Sequence, residues 1–497
     1  MVCVEGGDER VVAELSGAGR MPTFADLKAR GAVVEFDTVG EVLSPCVWPS
    51  LISGQPAGNH AAAHFVQLES KEMRFQWRNE GDLEPFWLHL PDNGRGALAL
   101  EVPECHPHPD SRADELCGWH ASETSHPPYF SSSEIKRVVR SFGKLPELPD
   151  VVSRAPTHDQ EVGLGRRLPN ALTRWGQVAG KLIRDRPVSV VGIHETHTVL
   201  HWLGHHYLAD HWARTSAADP SLVTAPYESL DAVLGSLLQG FEGNVAVVLA
   251  KGMRPANHAG HLLEGLLTAA GLLTRRGGDP RSEPGPGGEK AWITETARRL
   301  LPDQVRERIA RRLPEHMQRR LMSRKFRDRY VWSETKAFPL PAWHTGFVQA
   351  NVVGREGVGI VSPEERHAVL DEVTRLVLET VDADTGKPLA REVIRGPETF
   401  PGTRAHELPD LLVTWDGERP VRRARHPRFG EWEAEPESVR ATEHKGGGTA
   451  FLAGPDVRPT GETVRVEERG LAPTMLALRA IRPPSIMVGG PWSDILA

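Results

Sequence analysis

The chain reads as an α/β protein with a mostly parallel central sheet flanked by helices. Two observations predict it. Short apolar runs alternate with amphipathic stretches from the first residues onward, as sheets with helices on both faces require. Each run is also followed by glycine or by polar residues, so ligand-bearing side chains collect beyond the carboxyl ends of strands. In order, Val2-Cys3-Val4 is the first strand and a helix lies near Val11 and Leu15. Pro22 opens a second helix that stops at Gly31, and residues 32–36 form the next strand. Further strands are expected at 97–102, 188–193, 245–249, 411–415 and 449–453. Ser362-Pro363-Glu364-Glu365 carries a complete start signal, with serine as N-cap, proline at the first helical position and glutamate three residues on. It opens a helix expected to run to about Val381.

A chain of 497 residues is long for one simple domain. The expected division is an α/β core from 1–60, 151–276 and 346–497, an inserted cap at 61–150, and a basic helical insertion at 277–345. The second insertion begins with the Gly/Pro-rich stretch 277–288 and continues through Arg298, Arg299, Arg306, Arg308, Arg311, Arg312, Arg319 and Arg320. Such a stretch clamps an anion or touches a membrane surface, although a solvated helical face is the plainer reading.

The 59 basic and 66 acidic residues leave a net charge of −7, which excludes a chain-wide nucleic-acid or anionic-membrane binder. Cys3, Cys46, Cys105 and Cys117 are too few and too irregular for a disulfide framework, and no Cys-x-x-Cys pair suggests a thiolate zinc site. The start has no signal-peptide pattern, and no apolar run reaches the roughly 18 residues of a membrane span. A cytoplasmic location is the expectation.

The densest chemical signal is His194-Glu195-Thr196-His197-Thr198-Val199-Leu200-His201-Trp202-Leu203-Gly204-His205-His206, directly after the β-branched run 188–193. A strand delivering residues to a following helix puts His197 and His201 on one face at i, i+4. Two imidazoles so placed lack only a third ligand to make an open, catalytic-type zinc site. His205 and Glu195 are candidates to orient ligand imidazoles, while His206 and His211 read as helix surface. His258 and His261 either approach substrate or serve a loop, and Cys105-His106-Pro107-His108 reads as a loop. Ser44-Pro45 looks like an N-cap followed by proline at N1, where exposed amides stabilise an anion. The hydroxyl there is either a mere cap or a nucleophile activated by a cation.

These pieces resemble the alkaline phosphatase superfamily, in its type I phosphodiesterase and nucleotide pyrophosphatase (phosphohydrolase/phosphomutase) branch. The resemblance is carried by Glu5-Gly6, by Met21-Pro22-Thr23-Phe24, by Ser44 through Pro56, and by His197 through His201-Trp202. It continues through Ala250-Lys251-Gly252-Met253, Asn351 through Glu356, Leu408-Pro409-Asp410-Leu411, Glu443-His444 before Gly446-Gly447-Gly448, and Leu471-Ala472-Pro473-Thr474. It implies that Ser44 replaces the family's threonine nucleophile, ten positions before Gly54. It also implies that one metal, zinc, lies on His197, His201 and His444, with histidine in place of an aspartate.

The family's second metal would fall on Glu5, Ser44, Ala250 and Lys251. Alanine cannot ligate and an ammonium repels a cation, so one zinc per chain is expected. Lys251 would place a fixed charge beside Glu5 and Ser44, much as sulfatases of the superfamily surround one metal with basic residues. The expected activity is hydrolysis of a small anionic phosphate or sulfate ester, a nucleotide being one candidate, with Ser44, Lys251 and Glu5 as catalytic residues. Group transfer in a specialised biosynthetic pathway is the alternative, and a catalytically inactive anion-binding protein is a third reading.

Overall fold

The structure is a computed structural model, described over residues 1–77, 83–120, 128–143, 156–276, 315–342, 344–436 and 440–497. Its centre is a nine-stranded sheet in the spatial order Thr463–Arg465, Ala32–Phe36, Gly448–Ala453, Val245–Ala250, Val2–Glu5, Ser189–Ile193, Leu98–Leu100, Asp114–Cys117 and Tyr129–Phe130. The five strands from Val245–Ala250 to Asp114–Cys117 are mutually parallel. Gly448–Ala453 pairs antiparallel on both sides. The mostly parallel sheet inferred from alternating apolar runs is therefore present.

Burial on both faces explains why the strands read as continuous apolar runs rather than alternating ones. Val2, Val4, Val247 and Leu249 face one core layer with Leu168, Leu172 and Trp175 of the helix His158–Leu182. Cys3, Val248 and Ala250 face the other layer with Trp48, Leu51 and Ile52 of the helix Val47–Ser53.

Two expectations change. The run Leu411–Trp415 is a strand, but it belongs to a separate antiparallel sheet with Ala337–Leu340, Gly346–Ala350 and Ala390–Arg395. Periodicity identifies a strand without naming its sheet. Residues 61–150, expected as an inserted cap, contribute Leu98–Leu100, Asp114–Cys117 and Tyr129–Phe130 to the edge of the central sheet. The helix Arg366–Glu379 covers the second sheet, and Ser362 and Glu365 exchange the reciprocal capping bonds one turn before it. Asp410 ties this part together by accepting from Arg355, Arg366 and the Ala350 amide. Among the described residues, no helix is long and apolar enough to cross a membrane. The stretch 277–288 and the arginines from Arg298 to Arg312 lie outside the described residues.

Candidate active site

The first strand ends at Glu5, and Gly6 turns the chain with φ +68°. A Cβ on Gly6 would lie 2.9 Å from His197 Cα, so only glycine lets the next element cross this closely. That element is the helix Glu195–Tyr207, which starts one residue after the neighbouring strand Ser189–Ile193 and is held to the turn by Thr196 Oγ1 donating to Glu5 O at 2.6 Å. The short strand Thr442–His444, paired with Met253–Pro255, brings in His444. Gly204 permits this approach, because a Cβ there would sit 2.6 Å from Thr442 Oγ1.

His197, His201 and His444 therefore converge. His197 Nε2 lies 3.0 Å from His201 Nε2 and 3.2 Å from His444 Nε2. His201 Nδ1 faces Thr442 O at 2.9 Å and His444 Nδ1 faces Lys251 O at 3.4 Å. A carbonyl can only accept, so those Nδ1 atoms carry the protons and both Nε2 lone pairs point inward, the tautomer a metal requires. Burial, and then neighbouring cations and imidazoles, hold His201 and His444 well below the ordinary histidine range, keeping both neutral. The donor set thus fits a zinc ion. One feature opposes it: Arg440 Nη1 lies 3.0 Å from the His201 Nε2 lone pair, so a metal must displace that contact.

Beside this group, Lys251 is fully buried with φ +62°, a left-handed conformation uncommon outside glycine. Its ammonium pairs with Glu5 at 2.9 Å and Glu104 at 2.7 Å. Burial alone would lower its pKa, but the two carboxylates outweigh burial and raise it, so the lysine is charged. Glu5 also accepts from the Trp48 indole and lies 3.8 Å from His197 Nε2.

Ser44 is reached through Trp48, one helical turn further on. It is not the N-cap expected from Ser44-Pro45. It is the first residue of a 3-10 turn, Ser44–Cys46, capped by Leu43 and running into Val47–Ser53. The turn is braced by Thr345 Oγ1 donating to Val42 O at 3.0 Å. Among the described residues no hydrogen bond engages Ser44 Oγ.

The other expected residues separate. Glu195 does not orient a metal ligand but pairs with His120 at 2.7 Å in a buried contact. His206 and His211 are buried rather than surface residues, 2 % and 4 % exposed. His205 and His206 clasp Glu161 of the neighbouring helix at 3.4 and 3.2 Å, and His211 Nε2 donates to Ala441 O. His158, Glu161 and His206 have the spacing of a second metal group. However, His206 Nδ1 accepts the Asp219 amide at 2.9 Å, so Nε2 holds the proton and cannot ligate. His261 donates to Val421 O and, with His258, lines a pocket away from the three histidines. The segment Cys105-His106-Pro107-His108 is a loop. Glu104 and Arg440 were not legible as site residues: each is a lone charged residue on a loop, and only the fold brings it inward.

The family described as type I phosphodiesterase / nucleotide pyrophosphatase matches residues 4–428. No curated protein sequence matches the chain. Among solved structures, mouse ectonucleotide pyrophosphatase/phosphodiesterase 5, an inactive variant with AMP, is similar at 12% identity with a TM-score of 0.50, covering 100% of this chain and 99% of that one. Phosphonoacetate hydrolase from Sinorhizobium meliloti 1021 with phosphonoacetate has 13% identity, a TM-score of 0.50 and coverage of 96% and 94%. The alkaline phosphatase PafA has 12% identity, a TM-score of 0.55 and coverage of 100% and 98%. These likenesses show the fold, and the family match extends over most of the chain. The chain belongs to the type I phosphodiesterase / nucleotide pyrophosphatase family and is a phosphoester-hydrolysing enzyme of the alkaline phosphatase superfamily.

Proposed function

We propose that this enzyme cleaves a small phosphoester with Ser44 as covalent nucleophile and one zinc on His197, His201 and His444. The observation that carries the reading is the convergence of three Nε2 atoms at 3.0 and 3.2 Å beside a buried lysine–carboxylate cluster. When bound, zinc supplies Lewis-acid stabilisation of a phosphoryl or leaving-group oxygen. Ser44 Oγ attacks phosphorus and gives up its proton to solvent water, the ester oxygen leaves with the bonding pair and takes up a proton from water, and a second water then attacks phosphorus and breaks the Ser44 Oγ–phosphorus bond. Glu5, Glu104 and Lys251 form a pre-paired unit with one more negative than positive charge, so Lys251 cannot act as a free counter-charge for substrate. Its role is to fix a cation at the strand end where a second metal would otherwise have to sit. Arg440, which contacts the His201 Nε2 lone pair, would be released if a metal took that lone pair and would then pair with an anionic substrate oxygen.

The test is the metal content of chelator-free protein beside His201→Ala, with turnover of a chromogenic phosphodiester by Ser44→Ala. About one zinc per chain, lost in His201→Ala, together with zinc retained but turnover abolished in Ser44→Ala, is the expected result. Two zinc ions per chain would overturn the single-metal reading. No zinc, with unchanged Ser44→Ala behaviour, would favour an anion-binding protein.

A further inference from the structure

A groove remote in sequence from the three histidines carries an unexplained charge. It is lined by Arg276, Arg320, Arg324 and Arg327 around Met73, Asp328, Trp332 and Val358, and encloses about 500 Å³. Three of the arginines fall at i, i+4 and i+7 on the helix Glu315–Arg327, forming one stripe. Packing fixes that stripe outward. On the inner face of the helix, Phe326 meets the Phe75 ring at 4.8 Å and Ser323 Oγ accepts the Phe75 amide at 2.9 Å. Arg276 lines the same groove from a separate segment, fastened by its amide to Arg329 O just past the end of the helix.

Like charges at i, i+3 and i+4 weaken a helix. Two other helices set opposite charges at this spacing, Arg30 against Asp26 and Arg375 against Glu379 at i, i+4. Among the described residues lining the groove, Asp328 is the single carboxylate, 3.4 Å from Arg324. Among the described lining residues, four cations stand against one anion, an excess of three positive charges on a chain whose net charge is −7.

We propose that this groove is a binding site for a soluble oligophosphate, a molecule carrying at least two linked phosphate groups. Guanidinium forks match phosphate oxygens in pairs. Cations at several positions along the groove favour an elongated anion that bridges them over a single small one. The volume falls within the range of small-ligand sites. A concave groove of this volume suits a discrete polyanion better than a flat lipid surface. The elements that build it contribute nothing to the three-histidine group, so the site stands independently of the catalytic reading.

The experiment is calorimetric titration of the intact enzyme with tripolyphosphate at low and high ionic strength, repeated on Arg320→Gln/Arg324→Gln and on Arg276→Gln. Saturable binding that weakens with salt and falls about tenfold or more in either variant, with phosphodiesterase turnover and melting temperature retained, is expected. The single change outside the helix keeps the test valid if the double variant folds poorly. No binding of tripolyphosphate overturns the proposal. Binding equal in all three proteins also overturns it, because the anion then sits at the catalytic centre. Arginine-dependent association with phosphatidylglycerol vesicles but none with tripolyphosphate overturns it in favour of a lipid surface.

Discussion

Lys251 shows how much one residue can depend on its surroundings. A fully buried ammonium is tolerable only because Glu5 and Glu104 lie within 2.9 Å of it. Lys251→Met keeps the side chain's bulk but strands two buried carboxylates. It is expected to cost about 3–5 kcal/mol, read as a lowered midpoint in chemical denaturation. Adding Glu104→Gln to that variant removes one stranded charge and should recover part of the loss. A midpoint unchanged in Lys251→Met would mean that the cluster is hydrated. The left-handed backbone at Lys251 adds a local cost on the order of 1–3 kcal/mol that the surrounding packing must sustain.

At the scale of elements, the helix Glu195–Tyr207 is both the ligand carrier and a docking piece. Its far end is clasped to the helix His158–Leu182 by His205 and His206 on Glu161. Burial would raise the Glu161 pKa, but hydrogen bonds from the two histidines outweigh it and bring it down to about 2. A carboxylate depressed in the folded state stabilises above its unfolded value, and that contribution is lost as pH falls through the folded value. The difference in melting temperature between wild type and Glu161→Gln should therefore be full above about pH 5 and shrink as pH falls toward 2. A difference that grows on acidification would show that the clasp is not an ionised carboxylate.

At the scale of the molecule, the three histidines join a helix to a strand some 240 positions later in the chain, so metal binding on the proposed site is also a long-range tether. Zinc at 100 times its dissociation constant would add about 2.7 kcal/mol to stability. Chelation should lower the melting temperature of the wild type and leave that of His444→Ala unmoved. Equal sensitivity in both proteins would place the metal elsewhere. The sheet was legible because strands buried on both faces must be written as apolar runs, and His197 and His201 were legible because helical period puts i and i+4 on one face. His444 and Lys251 were reached through resemblance and not through spacing, and Ser44, noticed from its Ser-Pro pattern, gained its nucleophile role only through resemblance, since no local pattern records which distant residues will meet. Glu104 and Arg440 were not legible at all, the capping role expected of Ser44 gave way to a 3-10 turn, and the strand Leu411–Trp415 joined a second sheet. Local periodicity and composition are properties of neighbours along the chain, and these determined the α/β class and the two helix-borne histidines of the three-histidine group. Which charges are buried together depends on contacts across hundreds of residues, and only the tertiary structure decided that Lys251 sits between two carboxylates and Arg440 beside a ligand lone pair.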